Sequence, residues 1–355
     1  MISIIGAGPV GCYTAYLLAK NNYEVNVFED HSEIGKPVQC TGIVTSAIED
    51  IIPLNKKFIT NKIEEARVFS KNKNIELSLK NPNFVLDRAR FDRHISLMAR
   101  KAGANILLNH KFIDFKNPYI IMEDKKSYKT DILIGADGPS SRVAKSAGLY
   151  GKREFVIGLQ ARVNSRFTKK LVEFYLDKDY FGWAVPESSD IGRIGIAAKG
   201  NAKACFKDFL KRFGRKYKTI EYQSGLIPVY SPLVKTQIDS VYLVGDAAAM
   251  VKPTTYGGIV QGLMASEELV KSIKENKDYP ALWKKRIGKE LGYGLLIRKV
   301  MNNFSNEDYD ELLELVNSGG IKRIISGVDR DFPSQILFKL AIKQPKLLKF
   351  IKNIY

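Results

Sequence analysis

The sequence predicts an α/β fold: a Rossmann-like dinucleotide-binding domain, an antiparallel β-sheet domain inserted into it, and a helical C-terminal region. Three observations predict it. Residues 2–30, ISIIGAGPVGCYTAYLLAKNNYEVNVFED, read as strand, glycine turn, helix and strand. Two further apolar strands end in Gly/Asp turns that open helices, at 131–142 and 241–262. Between these, residues 151–237 hold short runs rich in β-branched and aromatic residues.

In the first unit the apolar strand Ile2-Ser3-Ile4-Ile5 runs into Gly6-Ala7-Gly8-Pro9-Val10-Gly11. Gly6 permits the tight turn and Gly8 lets the backbone approach a pyrophosphate. Pro9 opens the helix, and Gly11 lets that helix pack closely on the sheet. The helix carries Ala15, Leu18 and Ala19 on one face, and its N-terminus offers N–H groups and a partial positive charge to an anion. A second strand, 24–28, ends at Glu29, where a carboxylate can accept hydrogen bonds from an adenosine ribose.

The later turns repeat the logic. DILIGADGPSSR (131–142) ends a strand in Gly135-Ala136-Asp137-Gly138 and opens a helix at Ser140, Ser141 and Arg142. In VYLVGDAAAMVKPTTYGGIVQG (241–262) the carboxylate of Asp246 sits at a strand end, where it suits a polyhydroxyl chain such as ribitol. Gly257-Gly258-Ile259 then begin a helix whose N-terminus can face an electron-rich ring. FVLDRARFDRHI (84–95) places Arg88 between these elements. No second Gly-x-Gly-x-x-Gly occurs, which argues against a second nicotinamide-binding domain.

Together these elements resemble the FAD-dependent fold family of para-hydroxybenzoate hydroxylase, in the family's order over roughly the first 265 residues. The resemblance implies FAD as cofactor, contacted by Arg88 and Asp246, with Asp137-Gly138 lying behind the cofactor site. The FAD-binding domain is then discontinuous, built from 1–55, 84–150 and 238–275. Residues 56–83 and 151–237 form the substrate-binding sheet over the flavin. In the first, a short alternating segment at 66–70 precedes the polar NKNIELSLK. In the second, VIGLQARV, KLVEFYLD, YFGWAVP and RIGIAA read as strands. Residues 276–355 read as helical. Lys339, Lys343, Lys346, Lys349 and Lys352 lie beside Leu340, Leu347, Leu348 and Ile351, and Pro345 divides the segment. That pattern fits a surface helix packed on a core, and equally an interfacial membrane helix.

Lysine and arginine number 56 against 38 acidic residues, a formal charge of +18. This favours an anionic partner, although a composition rich in Lys, Ile and Asn produces the same balance without one. Cys12, Cys40 and Cys205 are too few and scattered for a disulfide framework, which favours a reducing compartment. No apolar run reaches the ~20 residues of a membrane span, and a strand starting at Ile2 leaves no room for a secretory signal. The expected location is cytoplasmic, with peripheral contact at the inner face of the cell membrane.

One loop, EIGKPVQCTGIVT (33–45), places the thiol of Cys40 just after the ribose-binding acid. Its Pro37-Val38-Gln39-Cys40 resembles the Pro-Val-x-Cys loop of the geranylgeranyl reductases, flavoproteins that saturate isoprenoid chains of archaeal membrane lipids. Phe181, Trp183 and Pro186 match that family's aromatic-x-Trp-x-x-Pro strand. The chain departs from the family at Thr41-Gly42-Ile43 and at Tyr256, which stands where the family's flavin loop has glycine. The resemblance implies an FAD-dependent reductase that transfers hydride from reduced flavin to C=C bonds of geranylgeranyl lipids or prenyl diphosphates. Reduced ferredoxin or NAD(P)H would be its electron donor.

An unconjugated alkene also needs a proton, held close in a dry pocket. Cys40 is the candidate donor, and a buried packing cysteine is the alternative. Phe181, Trp183 and Tyr256 are candidate substrate walls, and Trp183 reads equally well as core. Cys12 and Cys205 read as packing residues. His31, His94 and His110 share no metal-ligand spacing, so no metal is expected. Two other functions stay open: a flavin monooxygenase of the same fold using NAD(P)H and oxygen, and a non-catalytic flavoprotein with a basic surface. For the latter, no nucleic-acid-binding motif is present.

Overall fold

The computed structural model describes residues 1–317, 321–327, 331 and 333–335 of the chain. Among these residues the strands form three sheets. The first has the order Gln237–Ile238, Val241–Leu243, Ile132–Gly135, Ile2–Ile5, Val25–Phe28, Asn105–Leu107; all neighbours are parallel except the first pair. Ile2–Ile5 is buried throughout, as a central parallel strand must be. Helix Pro9–Lys20 buries Cys12, Ala15, Leu18 and Ala19, and Thr14 donates to Ser266 Oγ (2.9 Å) on helix Ile259–Glu275. The carboxyl ends of the parallel strands gather Gly6, Glu29, Ala136-Asp137 and, just past Val244, Gly245-Asp246 at one edge, where open α/β sheets bind ligands. A small antiparallel sheet, Phe112–Lys116, Tyr119–Met122 and Ser127–Lys129, packs beside it.

The second large sheet has the order Lys218–Pro228, Phe155–Asn164, Ile191–Ala198, Tyr180–Pro186, Leu171–Leu176, Ile59–Phe69, Asn74–Leu86, Ile43–Val44. Its neighbours are antiparallel except Leu171–Leu176 with Ile59–Phe69. Alternation along Tyr180–Pro186 separates two faces. Tyr180 and Ala184 join a core with Phe206, Phe209 and Phe213 of helix Ala202–Phe213. Phe181, Trp183 and Val185 join the opposite core, toward the first sheet. Gly182 lies under the helix because a Cβ there would sit 2.9 Å from the Phe209 ring.

The four strands read from 151–237 are present, accompanied by two elements without a sequence signal. Helix Ala202–Phe213 starts at an Asn201 cap and ends in a left-handed Gly214. Strand Lys218–Pro228 is an edge strand with many exposed side chains, Ile220, Tyr222 and Leu226 among them. Where only 66–70 reads as a strand, a long hairpin of Ile59–Phe69 and Asn74–Leu86 stands. Its second arm runs three residues past position 83, and Ile75 and Leu77 bury the inward positions of the polar NKNIELSLK. Beyond 276 the chain is helical at Tyr279–Trp283, Lys284–Gly288, Lys289–Met301, Asn306–Asn317 and Ile321–Ser326. The lysine stripe from Lys339 onward lies outside the described residues.

The sheet grips the loop that carries Cys40. Gly42 adopts φ +80°, and its carbonyl accepts from Leu86 N (2.9 Å). Arg193 Nη1 donates to the carbonyls of Cys40 (2.7 Å) and Thr41 (3.1 Å), while Arg193 Nε lies 2.8 Å from the Glu187 carboxylate. A Cβ on Gly42 would lie 2.4 Å from Leu86 O, so steric and dihedral costs coincide there. Gly42→Ala should therefore destabilise the fold by roughly 1–3 kcal/mol or more, seen as a thermal midpoint several degrees lower. An unchanged midpoint would contradict this geometry.

Candidate active site and cofactor cleft

A cleft of about 500 Å³ lies at the carboxyl edge of the first sheet. Gly6 (φ +101°) turns under Ala136, whose carbonyl oxygen would be 2.5 Å from a Cβ there. A Cβ on Gly11 would sit 2.0 Å from Gly6 O, so the helix presses directly on its own entry turn. Gly8 differs: nothing lies within 4 Å of the position its Cβ would take, and it borders the cleft. Gly8 caps the helix without a side chain, Pro9 follows, and the first turn carries no acid. The unsatisfied N–H groups and the positive end of the helix are left to a ligand.

Glu29 borders the same cleft. Its Oε2 accepts from Ala7 N (2.7 Å), and its Oε1 is 2.6 Å from His31 Nδ1. The bond to Glu29 raises the His31 pKa against partial burial, and Asp30 adds to the rise. Glu29, Asp30 and His31 thus bring two carboxylates and an imidazole together at adjacent positions, a grouping that their mutual ion pairs explain.

Asp137 Oδ2 accepts from Arg142 N (2.7 Å) and Val143 N (3.1 Å), capping helix Arg142–Ser146 beside the Ser141 cap. Its Oδ1 is buried without a partner, and burial raises the carboxyl pKa. Asp137 and Gly138 both line the cleft, and space is open beside Gly138.

A second cavity of about 210 Å³ adjoins the first and shares Gln39, Arg88, Gly225, Leu226 and Asp246 with it. Cys40, Phe181, Trp183, Tyr256, Gly257, Gly258 and Ile259 line this second space. Every residue assigned from sequence to the cofactor, the proton or the substrate wall borders one of the two cavities except Pro9 and Gly11, which shape the helix entry.

At the junction, Arg88 is bidentate to Asp92 (3.0 Å for both bonds). Burial opposes the guanidinium charge, but Asp92 and the nearby Cys40 sulfur hold its pKa up. Desolvation raises the Asp246 pKa against the pull of Arg88. Gly258 makes room for it, since a Cβ there would lie 2.8 Å from Asp246 Oδ1. The Cys40 sulfur accepts from Gly42 N at 3.3 Å.

Tyr256 adopts φ +58°, a left-handed backbone that glycine takes freely and tyrosine does not. Its ring packs 4.9 Å from the Arg298 guanidinium and 6.4 Å from the Phe181 ring. Arg298 in turn holds the carbonyls of Pro253 and Thr254.

Three features had no sequence signal strong enough to name them. Gln160 accepts from Thr41 Oγ1 (2.9 Å) and Trp183 Nε1 (3.2 Å) and donates to Gln223 (2.6 Å), which donates to Glu221 (2.6 Å). A glutamine at an inward position of VIGLQARV was the available clue. Arg193 is the basic residue of an otherwise apolar strand. Lys252 pairs with Asp331, whose carboxylate also accepts from Thr45 and Gln261. Burial raises the thiol pKa of Cys12 and Cys205, and neither lines the two cavities.

The residues present fit FAD. A glycine-bordered helix N-terminus, an unpartnered buried Asp137 oxygen and two joined cavities suit a dinucleotide whose second half extends past Asp246. Residues 4–41 match a family model described as an NAD(P)-binding Rossmann-like domain. A digeranylgeranylglycerophospholipid reductase of Methanocaldococcus jannaschii is 27% identical over 99% of this chain and 97% of its own length. An uncharacterized protein of the same organism is 30% identical over 90% of this chain and 89% of its own. A geranylgeranyl bacteriochlorophyll reductase-like protein from Thermoplasma acidophilum has the same fold. Its TM-score is 0.84 at 23% identity, covering 100% of this chain and 98% of that one.

Two glycine variants separate ligand contact from fold. Gly8→Val should fold, losing the ~1 kcal/mol of a poorer helix cap, yet bind no FAD because its side chain enters the cleft. Gly11→Val should unfold at markedly lower temperature even without ligand. Flavin absorbance per mole of protein and thermal unfolding of both apoproteins check this; full FAD content in Gly8→Val would refute the assignment of the cleft.

Proposed function

The chain belongs to the geranylgeranyl reductase family of flavoproteins, and from that premise we propose that it is an FAD-dependent reductase saturating C=C bonds of isoprenoid chains. The observation that carries the reading is the junction of the two cavities. Cys40, Phe181, Trp183 and Tyr256 surround a largely apolar space that meets the dinucleotide cleft at Arg88 and Asp246. The substrate class is a geranylgeranyl lipid of archaeal type or a prenyl diphosphate. The electrons come from an external donor, reduced ferredoxin or NAD(P)H. With no helix among the described residues long and apolar enough to cross a membrane, a chain of net charge +18 would meet its lipid at an anionic surface.

When bound, reduced FAD supplies the hydride for one alkene carbon. The chain's own residues do the rest. In this reading Gly8 and the first turn of helix Pro9–Lys20 hold the pyrophosphate, Glu29 the ribose and Asp246 the ribitol. Gly257, Gly258 and Ile259 bring a helix N-terminus to the ring. Phe181, Trp183 and Tyr256 exclude water and press the chain into place. Cys40 holds the proton for the second carbon. As that proton leaves, Arg88 stabilises the charge left on sulfur, which is neutralised again by a proton from solvent. The chain Thr41–Gln160–Gln223–Glu221 fixes the loop that carries the thiol.

Lipid extraction and mass measurement after co-expression with an unsaturated archaeal-type lipid pathway test the reaction. A gain of about two mass units per double bond supports saturation, and a gain of about sixteen supports the monooxygenase reading instead. For the thiol, Cys40→Ala should keep FAD and fold while reoxidation of pre-reduced enzyme by substrate slows by about 10²–10⁴. Cys40→Ser should recover part of that rate. Anaerobic single-turnover mixing measures it, and an unaltered rate in Cys40→Ala would return Cys40 to a packing role.

A further inference from the structure

Lys252 is a cation where a cation is costly. It lies between Gly245–Ala248 and helix Ile259–Glu275, and it is 9% exposed. An ammonium group at such a place needs a counter-charge. Asp331, 5% exposed and far along the chain, supplies it, with Thr45 and Gln261 donating to the same carboxylate.

The placement of the two partners is unequal. Lys252 borders the 210 Å³ cavity. Asp331 borders a separate space of about 30 Å³ on the other side of Lys252 and is absent from the lining of the larger one. A Cβ on Gly257 would lie 3.3 Å from Lys252 Cε and 3.8 Å from its Nζ. The ammonium is therefore beside the entry to helix Ile259–Glu275, whose first turn carries no acid. Ion pair and helix dipole point the same way, with positive ends toward the reaction cavity and the carboxylate behind.

We propose that Lys252 sets the reduction potential of the bound flavin by stabilising the negative charge that the ring gains when it takes up two electrons and one proton, and that Asp331 is its positioning residue. The electrons come from the external donor and the proton from solvent. The proposal rests on the flavin reading above. A cation held in a water-poor cavity interacts with a new charge far more strongly than it would in water. Thr45 lies two residues past Gly42-Ile43, in the strand end that follows the Cys40 loop, so one carboxylate ties together the thiol loop and the flavin loop.

The test uses two variants that break the same ion pair from opposite sides. Potentials of the FAD-loaded proteins are measured at pH 6 against a reference dye. Asp331→Asn removes one negative charge from beside the ammonium and should raise the potential. Lys252→Met removes the positive charge, keeps the carboxylate and should lower it. Each shift should be about tenfold in the equilibrium, ~30 mV for a two-electron couple. Lys252→Arg should hold the wild-type value. A purely structural latch would move both variants in the same direction or neither, and that result overturns the proposal. If Lys252→Met does not hold flavin, an Asp331→Asn potential at or below that of Lys252→Arg overturns it equally. A wild-type protein purified with no flavin, and taking up none, would instead overturn the flavin reading.

Discussion

At Gly11 the first helix lies so close to the turn it emerges from that one methyl group would sit 2.0 Å from a backbone oxygen. That contact sets where the helix axis points and how near its N-terminus stands to the strand ends. Ala136 presses on the same turn from the neighbouring strand, so Gly6, Gly11 and the Asp137 turn form one close-packed unit. Everything that follows the parallel strands is located by it: Glu29, Asp137 and Asp246 occupy one edge because their strands share a register fixed at Ile2–Ile5. No side-chain interaction could replace the contact, because it depends on the absence of side chains.

The second sheet then acts on the first through a loop. Arg193 and Leu86 hold the backbone of Cys40, Thr41 and Gly42, while Gln160 holds the Thr41 side chain and the Trp183 ring at once. The hydrogen bonds run in one direction, hydroxyl to amide to amide to carboxylate, and leave the Gln160 carbonyl saturated by two donors. The wall of a largely apolar cavity is thus braced by polar groups bonded to one another. Gly195 makes the bracing possible, since a side chain there would collide with both Gln160 and Trp183.

Much of this was legible because the signals are local. A glycine turn between a buried strand and a helix specifies its own geometry, and the Asp-Gly and Gly-Asp turns do the same at 137 and 246. The strands facing the cavity announced themselves through aromatic and β-branched runs. The rest was hidden for identifiable reasons. Lys218–Pro228 is an edge strand, so its sequence is half solvent-facing and reads as loop. The arm Asn74–Leu86 alternates buried Ile75 and Leu77 with exposed Asn74, Glu76 and Ser78, and its polar half masked the pattern. Lys252 and Asp331 are 79 positions apart. No window along the chain joins them; only the tertiary fold makes a buried pair of two ordinary surface residue types.

Tyr256 sits in a backbone conformation that disfavours it, by about 1–3 kcal/mol against glycine. The glycines that follow it, Gly257 and Gly258, do not take a positive φ themselves. The ring is retained at this point by Arg298 and Phe181, a guanidinium on one side and a cavity-lining aromatic on the other. A tyrosine held this way is an aromatic shutter whose hinge is already wound: exchanging it for glycine relaxes the main chain while it widens the cavity. Enlargement of the cavity and conformational ease lie along the same mutational path. The size of the molecules admitted can therefore change at this position with little loss of fold.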